Sequence, residues 1–199
     1  VPNPATATPA VIAAAATPTP PPPTPSPQPT VLGGASGQIA FASDRSGSVQ
    51  IWVMDAANPD RREQVTRLEE GACQPAWSPD GARIAFITPC KGPRLTYPGA
   101  GISIIDLATG GLTSLNLPGS AFDPAWSPDG KTIAYTTFIE GRTVIYAVNL
   151  DEMRPYPLAT GGQKNEDPAW SPDGETIAYI SDNKGVDEIW VMHKDGSSK

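Results

Sequence analysis

Histidine is nearly missing from this 199-residue chain, which carries only His193, and cysteine is scarce, with Cys73 and Cys90 alone. One imidazole excludes a His-rich zinc site and leaves a Ser-His-Asp triad a single residue to draw on. Neither a G-x-S-x-G elbow nor a P-loop occurs, so no catalytic residue and no cofactor is expected within the chain. There is no Lys/Arg-rich run, and the formal charge is −7, which argues against nucleic acid as a partner. No apolar run approaches the roughly 20 residues that span a bilayer; the longest near the start, Ala10–Ala16, is short and mostly alanine. Val1 stands where Met would, with no basic n-region behind it. The natural N-terminus, with any export signal or membrane anchor, is therefore expected upstream. A helical 3.6-residue period is lacking throughout the globular part.

What is present falls into two unlike parts. Residues 1–36 are dominated by Pro, Thr, Ala and Ser, and a stretch such as TPTPPPPTPSPQPT (Thr17–Thr30) favours extended polyproline II over any packed core. It reads as a disordered linker or stalk, with a ligand for a Pro-recognition module as the alternative. Residues 37–199 have ordinary globular composition and an internal repeat. AWSPDG occurs at Ala76–Gly81, Ala125–Gly130 and Ala169–Gly174, each copy followed by Ile-Ala-aromatic, and the Trp spacings are 49 and 44 residues. A fourth copy without this head begins at Gly37, with Ile39-Ala40-Phe41 and then QIWVMD (Gln50–Asp55), which parallels EIWVMH (Glu188–His193). The repeats run over about 37–71, 72–118, 119–162 and 163–199.

Each SPDG has the chemistry of a hairpin turn: Pro presets φ at the second position, Asp suits the third and Gly takes the left-handed one. The repeated residues Trp77, Pro79, Asp80 and Gly81, Trp126, Pro128, Asp129 and Gly130, and Trp170, Pro172, Asp173 and Gly174 are read as structural. Ser78, Ser127 and Ser171 are read likewise, because a side chain fixed in the same turn of every repeat cannot meet one unique base. Large-small-large order in Ile-Ala-aromatic sends bulky groups to one face and Ala to the other, as in a sheet covered on both sides. The repeat then supplies an inner strand ending in Trp, a second carrying Ile-Ala-aromatic, a third of Ile-Trp-Val type and an outer one such as Gln64–Leu68 or Leu112–Leu117. The fold class is all-β, a propeller of four-stranded antiparallel blades. The first copy lacks an inner strand and the last an outer one, so about three and a half blades are expected, a fragment of a larger ring.

Few side chains remain for chemistry. Cys73 and Cys90 flank one hairpin; Trp77 paired near Ile84 puts Cys73 opposite about Thr88, so a disulfide, two free thiols and metal ligation all stay open. His193 falls at the position of Asp55, Asp106 and Asn149, a polar strand end. Asp44 and Asp182 suit turn capping better than a calcium shell. Gln74, Asp123 and Asp167, each just before the inner-strand Pro, are expected around a central channel, either as a solvated rim or as a site for a cation or basic peptide.

P-A-W-S-P-D-G followed by I-A-F/Y and I-W/Y-V-M-D resembles the TolB-type, or WD40-like, β-propeller repeat of bacteria, over about Gly37 to Lys199. The resemblance implies a periplasmic or other extracytoplasmic scaffold that binds a protein or peptide, here on a Pro-rich stalk. It also implies two alternatives: the propeller of a larger serine peptidase of prolyl oligopeptidase type, and a sensor or surface ectodomain. Neither a metal nor a partner's identity follows from it.

Overall fold

The computed structural model describes residues 37–90, 97–162, 164–183 and 185–197. The linker reading of residues 1–36 lies outside them. Within them the chain forms fourteen strands and no helix, so none is long and apolar enough to cross a membrane.

The strands form four antiparallel sheets in chain order, each pairing sequential neighbours. The first contains β1 (Gln38–Ser43), β2 (Gln50–Asp55) and β3 (Arg62–Gln64); the second β4 (Cys73–Trp77), β5 (Arg83–Thr88), β6 (Gly101–Asp106) and β7 (Leu112–Ser114). The third holds β8 (Ser120–Trp126), β9 (Thr132–Ile139), β10 (Arg142–Asn149) and β11 (Arg154–Ala159); the fourth β12 (Asn165–Trp170), β13 (Thr176–Asn183) and β14 (Val186–His193). The inner strands β4, β8 and β12 lie against one another in succession, which arrays the sheets as propeller blades. An incomplete all-β propeller is what the repeat predicts. Two outer strands differ from expectation: β7 ends at Ser114 rather than Leu117, and β3 runs over Arg62–Gln64 rather than Gln64–Leu68. β3 stops at Gln64 because the next residues are held by side chains: Thr66 Oγ1 accepts the Ile51 amide at 2.8 Å, and the buried Gln50 amide donates to the Leu68 carbonyl at 2.7 Å.

Blade turns follow the SPDG chemistry. The amides of Gly81, Gly130 and Gly174 donate to the carbonyls of Ser78, Ser127 and Ser171 at 2.9 Å, and all three glycines have φ near 70°. Each Ser hydroxyl donates to the Asp two residues on, at 2.5–2.6 Å, and accepts the amide five residues on at 2.9–3.0 Å. The Ser78 hydroxyl and then the Ala82 amide hold the Asp80 carboxyl below the usual carboxylate range. These serines and aspartates are occupied in closing the turn.

Packing is directional. Ile84 and Phe86 meet Ile51 and Val53 of the preceding sheet, Ile133 and Tyr135 meet Ala85, Ile87 and Ile102, and Ile177 and Tyr179 meet Ala134, Ile145 and Ala147. The second, third and fourth blades thus each set the Ile-aromatic face on the Ala-bearing face of the blade before. Trp126 spans that joint, 7 % exposed, with the Arg83 guanidinium 4.8 Å from its ring centroid and its Nε1 donating to the Ala76 carbonyl at 3.1 Å. Trp170 Nε1 repeats the bond to Ala125 at 3.2 Å.

Two outcomes are expected in denaturant melts. Trp126→Ala should cost about 3–5 kcal/mol through lost packing, against about 1–2 kcal/mol for Ser127→Ala, whose hydroxyl is buried but only closes a turn. Equal losses would contradict the division of roles. Reducing the disulfide between Cys73 and Cys90, 17 residues apart, should lower stability by about 3 kcal/mol in the chain-entropy model. Melting with and without reductant checks this.

Candidate functional site

In each inner strand two residues stand opposite one. Gln74-Pro75, Asp123-Pro124 and Asp167-Pro168 form bulges between regular pairs, facing Phe86, Tyr135 and Tyr179 across the ladder. The first bulged residue takes a left-handed backbone: φ is 52° at Gln74, 52° at Asp123 and 53° at Asp167. A residue before proline normally prefers an extended backbone, and a non-glycine residue at positive φ costs of order 1–2 kcal/mol. Recurrence of this cost in three blades marks the row as a built feature. The same bulge corrects the register at the cysteines, putting Cys73 opposite Ile87 rather than Thr88. The two cysteines are bonded, with their Cα atoms 5.9 Å apart.

The structure joins the three residues across blades. Gln74 Nε2 donates to Asp123 Oδ1 at 2.6 Å, and the Asp123 amide donates back to Gln74 Oε1 at 2.9 Å. The Asp167 amide donates to the hydroxyl of Thr136, a fully buried side chain that also bonds the Asp123 carboxylate. Burial first, and the Asp167 charge second, push the Asp123 carboxyl up to about 6 against the hydrogen bonds from Thr136 and Gln74; Glu166 adds to the rise. Thr136 is the member that sequence reasoning missed. Its only sequence signal is a hydroxyl where β5 carries Ile87, at an interior position that favours apolar residues.

Two hollows lie nearby, the first touching the row at Gln74 and the second beside Phe122, the residue before Asp123. One, of 470 Å³, is bounded by Asp44, Val49, Cys73, Gln74, Cys90 and Tyr97. The other, of 210 Å³ and mostly apolar, lies between Tyr97, Pro98, Ser120, Phe122 and Phe138. Tyr97 is shared and packs on Phe122 at 6.2 Å between ring centroids. Among the described residues no three His, Cys, Asp or Glu side chains gather closely enough to hold a metal ion.

The remaining polar candidates sit in turns. Asp55 Oδ1 accepts the Ala57 amide, Asp106 Oδ1 the Thr109 amide, and Asn149 Oδ1 the Asp151 amide, each at 2.8–2.9 Å. His193 ends β14 at the matching place, exposed, with its carbonyl accepting the Gly196 amide. Asp182 caps the Gly185 amide at 2.9 Å, and the Asp44 carbonyl accepts the Gly47 amide.

Comparison with known proteins agrees with this architecture. The family described as the TolB beta propeller domain matches residues 60–199. TolB from Acinetobacter baumannii is similar in structure at 24% identity and a TM-score of 0.66, covering 83% of this chain and 41% of that one. A protein assigned as TolB from Agrobacterium tumefaciens gives 20% identity and 0.67, covering 81% and 59%. An oligogalacturonate lyase solved with manganese gives 16% and 0.61, covering 82% and 48%. At these identities the likeness shows the fold. The chain spans about half the length of these structures. No curated protein matches it.

The Asp123 carboxyl yields a pH prediction. Its native value of about 6 lies above the ordinary 3.8, so the folded state holds the proton more tightly. The stability this contributes is full below about pH 4 and is lost as pH rises through about 6. Asp123→Asn should flatten this decline and gain up to about 3 kcal/mol over the parent at pH 7.5, with little difference at pH 4. Urea melts from pH 4 to 7.5 measure it; parallel profiles would contradict it.

Proposed function

The chain belongs to the TolB β-propeller domain family, and on that premise we propose that it is a non-catalytic scaffold that binds another protein or a peptide. The single observation that carries this reading is the strained polar row of Gln74, Asp123 and Asp167 on consecutive inner strands. Backbone strain kept at the same place in several blades is expected where a surface presents groups to a ligand. The carboxylates give the surface its charge preference, and the hollows around Tyr97 take apolar side chains of the same ligand. The repeat's own Ser and Asp residues are committed to turns, which supports binding over hydrolysis.

An extracytoplasmic location is part of the proposal. Its supports are the Cys73–Cys90 bond, of a kind that persists in oxidising compartments, and the Pro/Thr-rich residues 1–36, whose composition suits a stalk.

Peptide display against the chain tests the function. Selection should enrich Lys- or Arg-containing sequences, and the Asp123→Ala/Asp167→Ala double variant should bind them at least tenfold more weakly. Enriched peptides that bind the double variant equally well, or a failure to enrich any, would contradict the assignment.

A further inference from the structure

Arg83 opens β5 directly opposite Asp106 of β6, a pairing that favours a cross-strand ion pair. None forms. Asp106 Oδ1 instead accepts the Thr109 amide at 2.8 Å and the Thr109 hydroxyl at 2.7 Å. Asp80, the other carboxylate that feels the Arg83 charge, accepts from the Ser78 hydroxyl and the Ala82 amide. The Arg83 guanidinium lies on the Trp126 ring, 4.8 Å from its centroid, and Nη2 is 3.9 Å from the place a Cβ would take at Gly130. Among the described residues it makes no hydrogen bond and no ion pair, so its five N–H donors stay unused on a plane that stacking holds in place.

The fold does not require a cation here. Thr132 and Thr176 stand at the same position in the next two blades, opposite Asn149 and His193. Trp170 makes the same bond between blades as Trp126, its Nε1 on the Ala125 carbonyl, with Thr132 at the place of Arg83. A second observation points to a ligand. Arg83 and Asp106 share a hollow of 270 Å³ with the apolar side chains of Ile104, Leu115, Leu150 and Met153. Small-molecule sites usually span roughly 300–1,000 Å³, so this volume suits one large residue. The planar fork of donors matches a carboxylate, and the Asp106 charge in the same hollow disfavours ligands of higher negative charge. β7, exposed throughout and with no described strand on its outer side, borders the hollow at Thr113 and leaves main-chain groups open to a peptide.

We propose that this hollow captures the C-terminal carboxylate of a peptide whose last residue is large and apolar. The Arg83 fork takes the carboxylate, Ile104, Leu115, Leu150 and Met153 surround the terminal side chain, and the residues before it run along the edge of β7. Capture of a chain terminus by fixed donors is a recurrent mode of recognition. The site is distinct from the polar row, since Arg83 begins β5 whereas the bulge at Gln74 faces Phe86 further along it. Its failure would leave the reading of that row untouched.

The test uses the whole 199-residue chain, labelled with ¹⁵N, and the unlabelled peptide N-acetyl-Ala-Thr-Ala-Leu with a free carboxylate. The expected result is saturable binding that shifts the Trp126 indole N–H and the Thr113 and Leu115 amides, while the amides of Gln74, Asp123 and Asp167 stay in place. The same peptide as its C-terminal amide should bind at least about tenfold more weakly, and Arg83→Gln should weaken binding of the free acid by as much. Isocaproate, which keeps the carboxylate and the branched tail but not the peptide, should also bind at least about tenfold more weakly. Should Arg83→Gln fail to fold, the comparison of acid and amide on the parent chain decides. Absence of saturable binding, equal affinity for acid and amide, a folded Arg83→Gln chain that binds as the parent does, or shifts confined to the polar row would each overturn the proposal. So would isocaproate binding as tightly as the peptide, since a small acid would then be the occupant.

Discussion

The indole of Trp126 touches two blades at once. Its ring lies under Arg83 and its N–H reaches the Ala76 carbonyl, while Ile133 and Tyr135 of its own sheet press on Ala85, Ile87 and Ile102. Remove that joint and each sheet has a bulky apolar face with nothing to cover it, because the repeat places Ile and an aromatic on one side and Ala on the other. A four-stranded sheet with both faces apolar is stable only between neighbours. Most other features follow from this need. The SPDG turns nest as they do because the sheets stack: an added Cβ at Gly130 would meet Pro79 of the previous turn at 3.4 Å, and one at Gly174 would meet Pro128 at 3.6 Å. The same logic locates the exposed apolar groups. Ile189 is 80 % and Val191 52 % exposed on the face of the last sheet that no described blade covers. Phe41 and Trp52, the bulky face of the first, are shielded by the Arg45 guanidinium, 5.0 Å from both rings.

The polar row arises from the same geometry. A bulge bends each inner strand at its Pro, and the preceding residue turns into the left-handed region as a result. Gln74 and Asp123 exchange two hydrogen bonds across the blade boundary there, so the groups proposed to meet a ligand also tie blades together. Binding a cationic group at Asp123 would replace solvation that burial has already weakened. Such a site holds its charge most strongly above about pH 6, where the carboxyl is ionised.

Much of the fold is readable because it repeats. Three AWSPDG copies with a fixed Ile-Ala-aromatic offset give the turn, the strand pairing and the facing of each side chain, and the pair Trp77 and Ile84 falls in the expected register. The bulges were not readable. A residue before proline is expected to be extended, and a two-against-one pairing leaves no mark in hydrophobic order. That one-residue slip moved Cys73 from Thr88 to Ile87. The row at Gln74, Asp123 and Asp167 could be picked out by position, but the buried Thr136 that connects two of its members could not. Its hydroxyl is informative only once β8, β9 and β12 are known to converge on it.

Native-state hydrogen exchange, read sheet by sheet, tests the dependence of each blade on its neighbours most directly. The second and third sheets, covered on both faces, should open only with free energies close to global unfolding, with the core pairs β5–β6 and β9–β10 slowest of all. The first and fourth sheets, each covered on one face alone among the described residues, should exchange through separate openings of lower free energy, with β1 and β14 fastest. Equal protection of β1–β2 and β9–β10 would contradict the account, because the blades would then be stable without being covered.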